Sequence, residues 1–299
     1  MSARRPAIRL LCDSADALGE APLWHPCDGH LYWLDLTGIR LHRLEADGTL
    51  TTRFPARPGP LGAIVAGPAA GELVLTAPDG LWLYDWAADS LTPLCHPEAG
   101  RTAIGYNDAK VDRAGRLWIG TSDLAEQDPR GALWCWQSGA APVLAEAGLT
   151  VVNGPAFSPD GRTLYLSDSV GRRILAFDVA PGASVLTNRR VFASMAVDEG
   201  YPDGLTVDAD GFLWVAHWDG WRVTRFSPSG ERALVLPLPV PRVTSLAFGG
   251  PGLATLFVTT ARVDLPAVVL AAAPLSGSLF ALEPGVGGLP ERPFVPSVQ

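Results

Sequence analysis

Short apolar runs recur along this chain at an almost constant interval. Six of them, HLYWLDL, ELVLTAP, RLWIGTS, TLYLSDS, FLWVAHW and TLFVTTA, each follow a turn. Their reference leucines are Leu31, Leu73, Leu117, Leu164, Leu213 and Leu256, with gaps of 42, 44, 47, 49 and 43 residues. Short runs of β-branched, leucine and aromatic residues bounded by Gly, Pro and Asp read as strands. Within the fourth unit the pattern predicts strands at 154–158, 163–167, 173–178 and near 188–192, with Pro159-Asp160-Gly161 as the first turn. Third-strand signatures such as IRLHRLEAD, LWLYDWAAD and ILAFDVAPG recur in step. A repeat of about 40–50 residues holding several strands marks a propeller. The prediction is therefore all-β: a six-bladed β-propeller of four-stranded antiparallel blades, forming one domain over 1–299. Residues 7–11 are expected to complete the last blade and close the ring, which removes exposed edges. The Pro- and Gly-rich tail from Glu283 reads as surface chain.

The repeat assigns phase. Counting back ten or eleven residues from each reference leucine reaches Glu20, Gly62, Asn107, Asn153, Asp203 and Ser245. In a propeller the first strand of each blade lines the central channel, so these six should ring one mouth of it. Two carboxylates and two amides around an axis do not serve packing, because buried charge needs a partner or a cation. All the donors are hard oxygens, which suit one divalent ion such as Ca²⁺, Mg²⁺ or Mn²⁺, with Zn²⁺ or Fe²⁺ also possible. The second strands return to the same mouth. Their ends carry Asp35, Thr76, Ser122-Asp123, Asp168, His217-Trp218 and the stretch from Thr260 to Arg262, the expected pocket wall. Asp168 also reads as a brace for turn backbone. His25, His30 and His42 share no ligand spacing and read as solvated loop residues.

Composition narrows the function. A net charge of −8 argues against nucleic acid as a partner. No apolar run is long enough to cross a membrane, and the N-terminus lacks the apolar core of a signal peptide. The four cysteines, Cys12, Cys27, Cys95 and Cys135, contain no CxxC pair and read as buried free thiols of a cytoplasmic protein.

The stretches LGEAPLWH, YNDAKVDRAGRLWIGT, VVNGPAFSPDGRTLYLSDS, YPDGLTVDADGFLWVAHWDG and VTSLAFGGPGLATLFVTTAR follow one another over nearly the whole chain. In them the sequence resembles the senescence marker protein/gluconolactonase family of sugar lactonases, in particular its bacterial aldonolactonases. The resemblance implies metal ligation by Glu20, Asn153 and Asp203, with Asn107 beside the metal and in contact with substrate. One departure stands out. Many family members carry Arg two positions before the Asn of the ND motif, and here that position is Gly105. The short loop after the third repeat leaves Asp123 or Glu126 as the acidic substrate contact.

The leading reading is metal-dependent hydrolysis of a small-molecule sugar lactone to its aldonic acid, with Asp203 positioning or deprotonating water. Asn107, Tyr106, Asp123, His217 and Trp218 are the candidate substrate contacts. Gly105 is expected to leave space beside Asn107, with His217, Trp218 and Tyr106 compensating. Two other readings stay open on these residues: an esterase or phosphotriesterase acting on a non-sugar substrate, and a non-catalytic binding module with a structural ion. The chain offers no GxSxG nucleophile elbow.

Overall fold

A computed structural model describes residues 6–56 and 59–297. They form six four-stranded antiparallel sheets, and in five the strand order follows the chain. The fourth blade consists of Val152–Phe157, Thr163–Asp168, Arg173–Val179 and Leu186–Ser194, each end within two residues of its expected place. The sixth blade takes its outer strand from the other end of the chain: Ile8–Cys12 pairs with Leu279–Leu282. The first strands of all six blades touch their neighbours around a complete circle, so the ring is closed.

The apolar core is divided into six wedges, one between each pair of adjacent blades. Every second strand is buried on both faces, which explains why the six signatures are runs rather than alternations. The outer strands are largely exposed and read weakly in the sequence. Gly161 and Gly211 hold φ of +68° and +83° in the hairpin turns, where an L side chain would be strained.

A buried aspartate locks the end of the first strand in two blades. Asp208 accepts Trp214 Nε1 and Arg225 Nε, both at 2.8 Å, and the amides of Asp210 and Phe212. Asp112 does the same with Trp118 Nε1 at 2.8 Å and Arg116 Nε at 2.7 Å. A single carboxylate thus joins turn, second strand and a cation, with its lone pairs satisfied.

Three expectations need correction. The tail from Glu283 does not simply run over the surface. It crosses the channel at the end where the first strands finish. Gly288 bridges Asp208, the Phe294 amide reaches the Ala66 carbonyl at 2.8 Å, and the Phe294 ring is buried 4.8 Å from Trp136. His25 and His42 are buried, not solvated. His25 Nε2 bonds the Glu72 carbonyl of the next blade at 2.9 Å, and His42 stacks on Trp33 and bridges Asp16 and Thr52. Both contacts span residues distant in sequence, so spacing within one strand could not reveal them. The cysteines are free, but Cys27 is exposed.

Asp208→Ala should destabilise the protein by about 3 kcal/mol, since it removes the main partner of the half-buried Arg225 guanidinium and strands the buried Trp214 indole N–H. Asp210→Ala, at an exposed carboxylate of the same turn, should cost under about 1 kcal/mol. Urea denaturation checks both, and equal midpoints for the two variants would contradict the bracing role.

Candidate functional site

The ladder between first and second strands slips once, at the same height, in five blades. The breaks lie between Glu20 and Leu23, Tyr106 and Ala109, Asn153 and Ala156, Pro202 and Leu205, and Val243 and Leu246. Each bulge sets two residues opposite one and re-aims their side chains. Glu20 and Asn153 stand just before their bulges, while Asn107 and Asp203 are the first residues within theirs. The count back to the leucine is accordingly eleven for the first pair and ten for the second. In the second blade the equivalent Gly62 has no room for a side chain: a Cβ would lie 2.4 Å from the Tyr106 carbonyl oxygen.

Glu20, Asn107, Asn153 and Asp203 line one cavity of about 470 Å³, a size typical of small-ligand sites. Leu18, Leu36, Val151 and Val170 supply apolar wall. Glu126, Ser169 and Asp219 are its other polar groups. Tyr201 and Trp218 face each other across the strand ladder and also line it. Each is backed by a guanidinium: Arg172 lies 3.7 Å from the Tyr201 ring centre and Arg242 lies 4.4 Å from that of Trp218.

The polar atoms are ordered by one another. Asn107 Nδ2 donates to the Val152 carbonyl at 2.8 Å and to Asn153 Oδ1 at 2.6 Å. Both its N–H groups are consumed, so its free atom is Oδ1. Asn153 Nδ2 donates to Ser169 Oγ at 3.0 Å, and Asn153 Oδ1 keeps a second lone pair. Glu20 accepts the Ala21 amide, and the Asp203 carbonyl accepts Ser167 Oγ at 2.7 Å.

Burial, with like charge second, pushes the Glu20 carboxyl up to about 8 and raises Asp203 well above the usual carboxylate range. Asp108 contributes to both shifts and is itself pushed up by burial to about 7, although the amides of Ala109 and Gly154 hold it. Among the described residues none of the three pairs with Lys, Arg or His; nearby Lys110 is engaged by Glu291. Also among the described residues, no three His, Cys, Asp or Glu side chains converge as a metal-binding group. A cation at the floor would therefore need amide oxygens as well as carboxylates.

The other candidates separate. Trp218 lines the cavity. Tyr106 faces a second cavity instead, with its hydroxyl on His96 Nδ1 at 2.8 Å. A strand alternates sides, so Tyr106 and Asn107 cannot both face the axis. Asp123 is turned into its own loop, accepting the amides of Gln127 and Asp128, while Glu126 reaches the cavity. His217 is buried; its Nδ1 donates to the Glu199 carbonyl at 2.9 Å, and its Nε2 is unpartnered. Burial first of all lowers its pKa to about 4, so the imidazole is neutral near pH 7. Asp35 and Asp168 brace hairpins through Arg40 and Arg173. Besides Trp218, at the end of its second strand as expected, the wall here comes from residues just after the second strands, Leu36, Ser169-Val170 and Asp219. Asp108 escaped phase counting because it stands one place beyond Asn107; an adjacent carboxylate at a ring position was the available signal.

Residues 18–262 match the SMP-30/gluconolactonase/LRE-like region. The chain belongs to this family. It is 34% identical over 293 residues to a 6-deoxy-6-sulfogluconolactonase of Pseudomonas putida, covering 96% of this chain and 98% of the relative. It is 32% identical over 288 residues to an L-arabinolactonase of Azospirillum brasilense, covering 95% and 94%. A crystal structure of the calcium-binding protein regucalcin from Agrobacterium tumefaciens superposes with a TM-score of 0.90 at 29% identity, over 97% of both chains. The family match spans every bulged first strand described above.

A carboxyl with a folded pKa above its unfolded one binds more protons when folded, between those two values. Stability then falls as pH rises through that window. Chelator-treated protein should lose thermal stability between about pH 5 and 8, the upper limit set by Glu20. Glu20→Gln should flatten this slope and raise the melting temperature at pH 8. Calorimetry across this range checks it, and a slope unchanged by the substitution would count against the crowded carboxylates.

Proposed function

We propose that this protein hydrolyses a sugar lactone to the hydroxy acid, using one divalent metal ion held by Glu20, Asn153 and Asp203. The observation that carries the reading is the cavity floor itself. Two crowded carboxylates without a cationic partner sit beside two amide oxygens with free lone pairs. The donor set fits a divalent cation: hard oxygens of two carboxylates and the Asn153 amide favour Ca²⁺, Mg²⁺ or Mn²⁺ over soft-ligand metals. The names of the two lactonase relatives support the reaction, and that of the calcium-binding relative supports the ion.

Such an ion supplies Lewis acidity toward a carbonyl oxygen. The chain's own residues do the rest. Asp203 is the general base in this reading: a carboxylate beside a bound cation stays ionised near neutral pH and can take a proton from water. The water oxygen bonds to the carbonyl carbon, the ring C–O bond breaks, and the ring oxygen leaves as a hydroxyl after receiving a proton. Asn107 offers Oδ1 to a substrate hydroxyl. Tyr201 and Trp218 give flat apolar surface to a ring.

Asp203→Asn should lower kcat/KM by at least about a hundredfold in a pH-indicator assay, and Glu20→Gln should weaken binding of the activating metal in a titration. If metal-loaded protein opened no lactone above the spontaneous rate, the binding-module reading would replace this one.

Charge gives a further expectation. Among the described residues no Lys, Arg or His lines the cavity, while Glu20, Glu126, Asp203 and Asp219 do. Neutral lactones should therefore be preferred to sulfonated or phosphorylated ones, by at least about tenfold in kcat/KM. An equal or better rate on the anionic substrate would show that a cation enters from elsewhere.

A further inference from the structure

A second cavity of about 260 Å³ stands beside the first. The two share a partition. Consecutive residues Tyr106 and Asn107 line one each, and so do Leu124 and Glu126 of the same loop. The partition has a specific construction. A Cβ at Gly105 would lie 2.7 Å from Leu124 Cδ2, so the absent side chain is what lets Leu124 rest against the strand. The space that glycine leaves is thus filled by a leucine rather than open. Leu124 is 62% exposed, a large apolar side chain placed at the mouth rather than in any of the six core wedges.

Most of the polar groups in the second cavity satisfy one another. The Tyr106 hydroxyl donates to His96 Nδ1 at 2.8 Å and accepts the Glu98 amide at 3.3 Å. Buried Glu98 accepts Trp134 Nε1 at 2.7 Å, Thr121 Oγ1 at 3.1 Å and Arg101 Nη1 at 2.7 Å. The other Arg101 terminal nitrogen reaches the Arg130 carbonyl at 2.9 Å. Apart from His96 Nε2 and the exposed Thr102 hydroxyl, a hydroxylated chain entering here would exchange water for apolar wall, which is unfavourable. A hydrocarbon would meet Leu61, Pro78, Ile104, Leu124 and the face of Tyr106, and its burial is favourable.

We propose that this second cavity is a subsite for a hydrocarbon substituent on the substrate ring, an alkyl or aryl group, with Leu124 as the wall shared with the main cavity. The inference rests on the lactone reading and makes it more specific: the ring sits over Glu20, Asn153 and Asp203, and the substituent passes Leu124.

The test uses metal-loaded protein and neutral γ-lactones with unbranched alkyl substituents of increasing length, beside a hydroxylated aldonolactone. In the wild type kcat/KM should rise by about fourfold per methylene until the cavity is full. Thr102→Trp, at an exposed position lining the cavity, should cut the rise short at a smaller chain. Leu124→Ser should lower the ratio of long-chain to short-chain kcat/KM by at least tenfold. A flat dependence on chain length, with lactones otherwise turned over, would overturn the subsite and leave lactonase activity intact. If no lactone is opened, calorimetric binding of the same alkyl series as unreactive lactams reads the subsite directly. Affinity independent of chain length there would also overturn it.

Discussion

Ring closure is the constraint on which everything else depends. Ile8–Cys12 hydrogen-bonds to Leu279–Leu282, so one sheet joins the first and last strands of the described chain. Without that pairing the sixth blade would expose an unpaired edge, and the wedge between sixth and first blades would lose the cover of Leu11 and Cys12. The four axial polar residues, Glu20, Asn107, Asn153 and Asp203, come from the first, third, fourth and fifth blades. Their mutual positions are therefore set by the closure angle of the whole circle. No single blade can form the site, because each contributes one polar residue and none contributes two to the phase-matched set.

The bulges convert this circle into chemistry. A regular ladder would point alternate residues into the wedges and strand the polar ones there. Slipping the register at one height lets Glu20 and Asn153 approach the axis from one bulge position, and Asn107 and Asp203 from the next. The resulting crowding is costly for the folded protein by itself, as the raised proton affinities of Glu20, Asp108 and Asp203 indicate. Sites arranged for function commonly carry such local conflict.

The blades and the four axial residues were legible because both follow the repeat, and a repeat multiplies a weak local signal. The bulge count was half legible: the tolerance of ten or eleven residues concealed two distinct positions. A position at the end of a second strand does not say which way its side chain turns, so Asp123 closes its own loop and His217 is buried against Glu199, while strand alternation sends Tyr106 to the second cavity. His25 and His42 were misread because their partners lie in other strands. The tail misled for a related reason. Its Pro and Gly content signals irregular backbone but not where that backbone lies, and Phe294 is buried in the wedge between the second and third blades, far from it in sequence.

That tail has a consequence for traffic. With residues 287–294 laid across the far end, two voids lined by that segment measure about 20 and 30 Å³, each with room for a water or two. The propeller is therefore a cup and not a tube. Whatever enters the acidic cavity must leave by the same rim, past Trp218, Tyr201 and Glu126, so a departing molecule and an arriving one compete for a single doorway. Exchange at that rim, and not passage through the axis, is the route by which the site empties between events.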